Sequence, residues 1–225
     1  MNFLVKKIHK YLSFFISLQL LLWTISGIYF AFNKIELIRG EQYLNPKETS
    51  FDLSKLDFKV ERAEEVEFKK RLGQEIVIIK AKDTTSYLDM LGEPVPKIST
   101  KDAMDSVSSQ TILLPLAAEV VSNKKSGSEY RGRPLPIYKV KSKNSEGAEL
   151  NVYINVYSGE ILAIRSNKWK IWDLMWGFHI MDWKERDNID NLLLKIFSIL
   201  ALMSSVTGIM LFFKVDFKNA SKSTG

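Results

Sequence analysis

Apolar residues gather at the two ends of the chain. Residues 11–32, YLSFFISLQLLLWTISGIYFAF, form a run of 22 without a charge. As a helix this run extends roughly 33 Å, enough to cross the hydrocarbon core of a bilayer. Residues 192–213 form a second run of the same length with one charge, Lys195. That residue lies a turn from the end, where its stem can carry the ammonium to the headgroups. The first run is too long for a signal-peptide core and no A-x-A pattern follows it, so a retained anchor is expected rather than a cleaved leader.

Between the runs the pattern becomes mixed, and all six prolines fall there. Residues 40–54 are polar and irregular and read as the exit from the membrane. Residues 57–71 are charged, with Val60, Ala63, Val66 and Phe68 as apolar positions, and suit a short helix or a mixture of strand and helix. EIVIIKA, residues 75–81, predicts a strand with residues 86–90 as its hairpin partner. Pro94 and Pro96 then break the pattern. Ser99 followed three positions later by Asp102 is a helix-start signal, predicting a helix to about Ser109. Residues 116–121 read as a second short helical run and SNKKSGS, 122–128, as a loop. Residues 137–140, 149–157 and 160–164 predict three strands. The last two are joined by a tight turn at Ser158-Gly159, where glycine supplies a positive φ.

Composition narrows the chemistry. With no cysteine, disulfides, thiolate metal sites, cysteine nucleophiles and covalently attached c-type haem are excluded. Two histidines are too few for a three-histidine metal centre in one chain. The net charge of +6 has a simple distribution. Residues 33–191 hold 25 basic and 25 acidic residues, so the excess lies in Lys6, Lys7 and Lys10, in the tail 214–225, and in Lys195. Short basic tails at both ends place both termini in the cytoplasm and the centre outside. The excess charge sits at the membrane rather than on a domain face, which argues against nucleic-acid binding.

Several segments resemble one family. The run KISTKDAMDSV followed by strands ending in VYINVYSGEILAI, within residues 97–166, resembles a PepSY domain, and EYRGRPLPIYKV is similar to the variant in membrane-anchored members. KKIHKYLSFFISLQLLLWTISGIYF is similar to the first membrane helix of PepSY-associated transmembrane proteins, as are WDLMWGFHIMDW and the helix ending SSVTGIMLFF. Residues 45–95 match poorly and are read as a degenerate copy of the same unit. Larger relatives have four membrane helices, where this sequence has two. The resemblance implies an α+β fold: two transmembrane helices flanking an extracytoplasmic PepSY-like helix-plus-antiparallel-sheet domain. The expected division is tail 1–10, membrane helix 11–32, extracytoplasmic region 33–96, PepSY-like domain 97–168, aromatic interfacial segment 169–191, membrane helix 192–213 and tail 214–225. The expected location is a bacterial inner membrane.

Some four-helix relatives are haem-containing reductases of iron-siderophore complexes with membrane histidines as axial ligands. The resemblance carries those ligands to KIHKYL and GFHIMD, hence to His9 and His179, and implies haem b and an oxidoreductase component of the ferric reductase type. Helix periodicity gives a separate check. His9, Ser13, Ser17, Leu20, Thr24 and Gly27 share one face of the first helix, and Ser198, Ala201, Ser205 and Gly208 one face of the second. Gly27 and Gly208 are expected to leave room for a flat ring beside His179 and His9. The histidines belong to opposite sides of the membrane, so bis-histidine ligation implies a homodimer or another membrane subunit.

Other chemistries have weaker support. His179 and Asp182 have zinc-ligand spacing without further ligands to complete a site, and no nucleophile elbow, phosphate loop or dinucleotide motif is present. Arg131 and Arg133 could meet an acidic partner or form a structural loop. Trp169, Trp172, Trp176 and Trp183 suit an amphipathic helix lying in the outer interface. The alternative to electron transfer is a membrane-tethered, non-catalytic PepSY module that binds or inhibits an envelope protein or secreted protease, and the resemblance implies it directly.

Overall fold

The computed structural model describes residues 2–46 and 50–223, with side chains for 3–46 and 50–213. The side chains of the second basic tail, 214–225, lie outside the described residues. The chain is α+β, with antiparallel sheets and two helices long and apolar enough to cross a membrane. In order the elements are α1 (Asn2–Phe32), α2 (Ile35–Arg39), β1 (Glu65–Arg71), β2 (Gln74–Ala81), β3 (Thr84–Asp89), α3 (Thr100–Gln110), β4 (Leu114–Val121), β5 (Ile137–Lys143), β6 (Glu149–Asn155), β7 (Ile161–Arg165), α4 (Asn167–His179) and α5 (Leu192–Ser223). The chain divides into two compact units: Lys34–Lys170, and residues 2–33 with 171–223.

In Lys34–Lys170, β1, β2 and β3 form an antiparallel meander, and β4-β5-β6-β7 an antiparallel sheet in chain order. The helix α3 starts where the capping signal lies. Asp102 N–H donates to Ser99 Oγ at 3.1 Å and Ser99 N–H to Asp102 Oδ2 at 2.9 Å, so two backbone donors are satisfied reciprocally. The buried face of α3, Ala103 and Val107, packs with Tyr138, Val140, Leu150, Val152, Ile154 and Ile164 of the sheet. Along β5 and β6 the alternation places Ile137 and Tyr153 on the opposite face, with Ala163. Tyr138 is buried because its hydroxyl donates to the Ile98 carbonyl at 2.7 Å, leaving neither group unpaired.

Three local expectations need correction. Residues 116–121 are part of strand β4, not a helix: β4 pairs with β5 from Leu114↔Lys143 to Val121↔Ile137, and this distant ladder overrides the helix preference of LAAE. Residues 57–71 contain no helix; their ordered part is β1, held by seven pairings with β2. The β6–β7 turn is longer than two residues. It runs from Val156 to Glu160, closed by Asn155 N–H to Glu160 O at 2.9 Å, while Asn155 Oδ1 accepts from Tyr157 and Ser158 N–H. Gly159 has φ +68° as the sequence required.

In the other unit α1 pairs antiparallel with α5. Ser13 and Ser204 hydroxyls meet at 2.7 Å, and the rings of Phe15 and Phe197 stack at 5.7 Å. From Ile171 onward α4 packs beside α1 in the opposite sense: Trp172 lies on Phe30, and His179 reaches Ser26 and Trp23. It therefore runs along α1 instead of across it, as a helix lying flat in an interface would.

Candidate functional site

Segment 176–180 approaches α1 through groups that a helix end leaves unsatisfied. At the end of α4 the Phe178 carbonyl takes only a long bond, from Met181 N–H at 3.4 Å, and the His179 carbonyl lies past the last helical donors. Gln19 Nε2 donates to the first at 3.1 Å, and Trp23 Nε1 to the second at 2.6 Å. This anchoring fixes the imidazole of His179 beside Ser26, which is fully buried. Ser26 Oγ has a single proton and directs it to its own helix, with Leu22 O at 2.8 Å and Trp23 O at 3.1 Å. The 2.7 Å contact between Ser26 Oγ and His179 Nδ1 is then made by the imidazole N–H donating to the hydroxyl oxygen. In the tautomer with its proton on Nδ1, the imidazole leaves Nε2 with a lone pair.

Aromatic rings wall this imidazole. Trp172 stacks on Trp176 at 5.6 Å and 13°, and Trp176 stacks on His179 at 6.3 Å and 11°. Phe30 meets His179 edge-on at 5.6 Å, and Trp23 lies at 6.5 Å. A Cβ at Gly27, next to Ser26, would meet nothing within 4 Å, so space is open there. A lone-pair nitrogen held by a hydrogen bond through its other ring nitrogen, inside an aromatic wall, is the arrangement of a metal-ligating histidine. The residues at His179 thus fit an axial haem ligand. Among the described residues no group of three His, Asp or Glu forms a metal cluster, so the zinc reading of His179 and Asp182 finds no third ligand.

His9 lies between α1 and α5. Its Nδ1 is 3.0 Å from Thr207 Oγ1, whose own proton goes to Met203 O at 2.8 Å or Ser204 O at 3.0 Å. Ser13 Oγ lies 3.4 Å from Nδ1 and 3.5 Å from Nε2, so hydroxyls reach both ring nitrogens. The space at Gly208 is taken by His9 itself: a Cβ there would stand 3.1 Å from its Cε1. The flat ring beside Gly208 is therefore the imidazole, and Gly208 leaves no further room. Seventeen residues separate His9 from Ser26, about 25 Å along α1, so the two imidazoles belong to separate sites.

The contact face of α1 is His9, Ser13, Ile16, Gln19, Trp23, Ser26 and Phe30, not the expected stripe through Ser17, Leu20 and Thr24. Ser17 and Thr24 are exposed and return their hydroxyls to the carbonyls of Phe14 and Leu20. On α5, Ser198 and Ser205 are exposed, and Ser204 and Thr207 make the contacts instead. Sequence reasoning missed Gln19, Trp23, Ser26 and Phe30. A glutamine within an apolar run was the available signal.

The tryptophans divide. Trp172 and Trp176 belong to the wall of His179, and Trp183 is 54% exposed. Trp169 is buried in Lys34–Lys170, with the guanidinium of Arg165 4.4 Å above its ring and that of Arg131 at 5.6 Å. An interfacial role does not suit it, because a ring covered by two cations is withdrawn from lipid. This contact also accounts for Arg131 in EYRGRPLP. Burial, then the neighbouring Arg133 and Arg131, push the Arg165 guanidinium down to about 10, against the pull of Glu129. The chain matches no family model, no curated protein and no solved structure.

Proposed function

We propose that this chain is a haem-associated component of transmembrane electron transfer, such as the reduction of extracytoplasmic ferric siderophore complexes. It would lie in a bacterial inner membrane with both tails in the cytoplasm and the PepSY-like unit, an α3 helix capped by Ser99 on an antiparallel sheet, outside. The observation that carries the reading is the 2.7 Å contact of His179 Nδ1 with Ser26 Oγ, which in the Nδ1-protonated tautomer leaves Nε2 for iron. A bound haem b supplies one-electron redox chemistry. The protein's own part is positional: Ser26 fixes the tautomer and ring of His179, Gln19 and Trp23 hold the helix end that carries it, and Phe30 with Trp176 keeps water from one side. His9, about 25 Å away, is held by Thr207 with Ser13 Oγ 3.5 Å from its Nε2, so it would have to turn from between the helices to meet a second haem. A single chain supplies one histidine to each site, so a homodimer or another membrane subunit provides the second.

The test is an absorption spectrum of the full-length protein, purified in detergent from haem-supplied cells, before and after dithionite. A Soret band that sharpens on reduction and is absent from His179→Ala is the expected result. Ser26→Ala should lower haem affinity on the order of 10- to 100-fold, as for other partners of metal-bound histidines. A colourless wild-type protein rejects the reading.

A second reading has its own observation. Lys34–Lys170 contains a cleft of about 790 Å³ lined by Phe51, Phe68, Leu72, Lys69, Asp105 and Ile161, among others. Such a cleft suits a tethered module that binds an envelope protein or secreted protease without catalysis. In that case Phe68→Glu in the full chain abolishes capture of the partner, and replacement of either histidine leaves capture intact.

A further inference from the structure

The two apolar helices are offset along each other, and the offset locates the bilayer surface. The hydroxyl pair Ser13–Ser204 joins two short side chains, so their Cα atoms lie at nearly the same height. Twelve residues back from Ser204 is Leu192, the start of α5, and twelve residues on from Ser13 is Ile25. Nine residues on from Ser204 is Phe213, and nine back from Ser13 is Leu4. The apolar run of α5 therefore stands level with Leu4–Ile25 of α1, and about ten Å of the apolar end of α1 extends past it.

What lies at that upper level is strongly charged. The segment from Asp182 to Asp190 contains six ionisable side chains: Asp182, Lys184, Glu185, Arg186, Asp187 and Asp190. Its height is fixed from both ends. The preceding carbonyls are held by Gln19 and Trp23, and Asn191 Nδ2 returns to Ile180 O at 2.9 Å while its Oδ1 accepts from Leu194 N–H at the start of α5. Asp182 organises the segment by accepting N–H bonds from Glu185, Asp187 and Asn188. Lys184, Glu185, Asp187 and Asp190 are exposed, and no rearrangement short of breaking these bonds lifts them higher. Hydrocarbon does not accept four exposed charges at one level. The apolar end of α1, by contrast, has Ser26 buried and Phe30 covered by Trp172 and Trp176, so it needs lipid on one side only.

We propose that the outer hydrocarbon boundary crosses α1 near Trp23, that segment 182–190 rests on the lipid headgroups there, and that residues 26–32 of α1 stand within the headgroup layer against α4. The inference rests on the reading that α1 and α5 cross a membrane. It places Ser26 and His179 at the water–lipid boundary, open to redox partners from the aqueous side. With about 30 Å of hydrocarbon, Lys6 and Lys7 then lie about 5 Å inside the opposite boundary and reach the headgroups by extending their stems. Lys10, about 10 Å inside, requires the bilayer to thin there.

The chain has no cysteine, so single-cysteine variants report one position each. Full-length Ile28→Cys, Leu18→Cys, Leu202→Cys and Lys125→Cys are placed in phosphatidylcholine nanodiscs, where both faces are open, and treated with a charged maleimide. The four native residues are exposed within the protein, so lipid alone distinguishes them. Thiols need water to ionise, so Leu18→Cys and Leu202→Cys should react on the order of 100-fold more slowly than Lys125→Cys, and Ile28→Cys within about tenfold of it. An Ile28→Cys as slow as Leu18→Cys overturns the boundary while leaving the membrane reading intact. If Leu18→Cys and Leu202→Cys react as fast as Lys125→Cys, the membrane reading fails and the boundary with it.

Discussion

Asp173 is 1% exposed and holds Arg186 Nη1 at 2.9 Å, across the loop that follows α4. The ion pair depends on Gly177, because a Cβ there would lie 2.9 Å from Arg186 Cγ and block the path of the side chain over the helix. Replacing Asp173 by Asn keeps the shape and removes the charge, leaving the guanidinium facing a neutral amide. At an effective dielectric of about 20 the direct attraction is roughly 4 kcal/mol. Breaking a buried pair from one side costs about 3–5 kcal/mol, and the Arg186 side chain remains 29% exposed, so water offsets part of the loss. About 2–3 kcal/mol is expected, which in a chain of this size lowers Tm by roughly 4–12 °C. The assay is thermal unfolding in detergent of Asp173→Asn, Arg186→Met and the double variant. The double variant should be less destabilised than the sum of the singles by at least about 1 kcal/mol, because removing both charges leaves none uncompensated. Gly177→Ala should reproduce part of the loss. Single variants that each cost under about 0.5 kcal/mol and add without coupling would refute the account.

Tyr138→Phe removes the hydroxyl that satisfies the buried Ile98 carbonyl, so about 1–3 kcal/mol should be lost in denaturant unfolding of the unit Lys34–Lys170, with the m-value unchanged. Asp182 gives a pH dependence. Desolvation raises its pKa, but the N–H groups of Asn188, Glu185 and Asp187 outweigh it and hold the carboxyl below its ordinary value. A depressed folded pKa contributes stability that is complete above the unfolded value and is lost as pH falls through the folded one. Hydrogen exchange of the Glu185, Asp187 and Asn188 amides, corrected for intrinsic rate, should therefore lose protection below about pH 4, and Asp182→Asn should abolish that dependence.

Features carried by neighbouring residues were legible in the sequence. The reciprocal cap of Ser99 and Asp102, the β2–β3 hairpin and the glycine at 159 are local, and each was readable in a window of a few residues. The two long apolar runs were equally plain. What escaped was set by distant partners. Strand β4 needs β5, some twenty residues further on, and LPLAAEVV alone gives no sign of it. The face of α1 was misassigned because steps of three and four generate two adjacent stripes, and serines occur on both. Only the arrival of Thr207, Ser204 and the end of α4 shows which stripe is covered. Both histidines stood out by rarity, but Ser26, which the structure puts 2.7 Å from His179 Nδ1, looked like any small residue in an apolar helix.

The contacts that complete α1 come from the far end of the chain. Ser26 waits for His179, 153 residues later, and Ser13 for Ser204, 191 residues later. At a synthesis rate of about 5–20 residues per second, that is a delay of roughly ten to forty seconds. During it the unit Lys34–Lys170, all of whose strands lie between, can be made and folded, while α1 stands alone with Gln19 and Ser13 unpartnered. Polar groups in that state pair with whatever helix is nearest, another copy of α1 included. The unit built on α1 and α5 is thus the last to close, and a chain halted at Lys170 would have a finished Lys34–Lys170 unit on a helix still able to join the wrong neighbour.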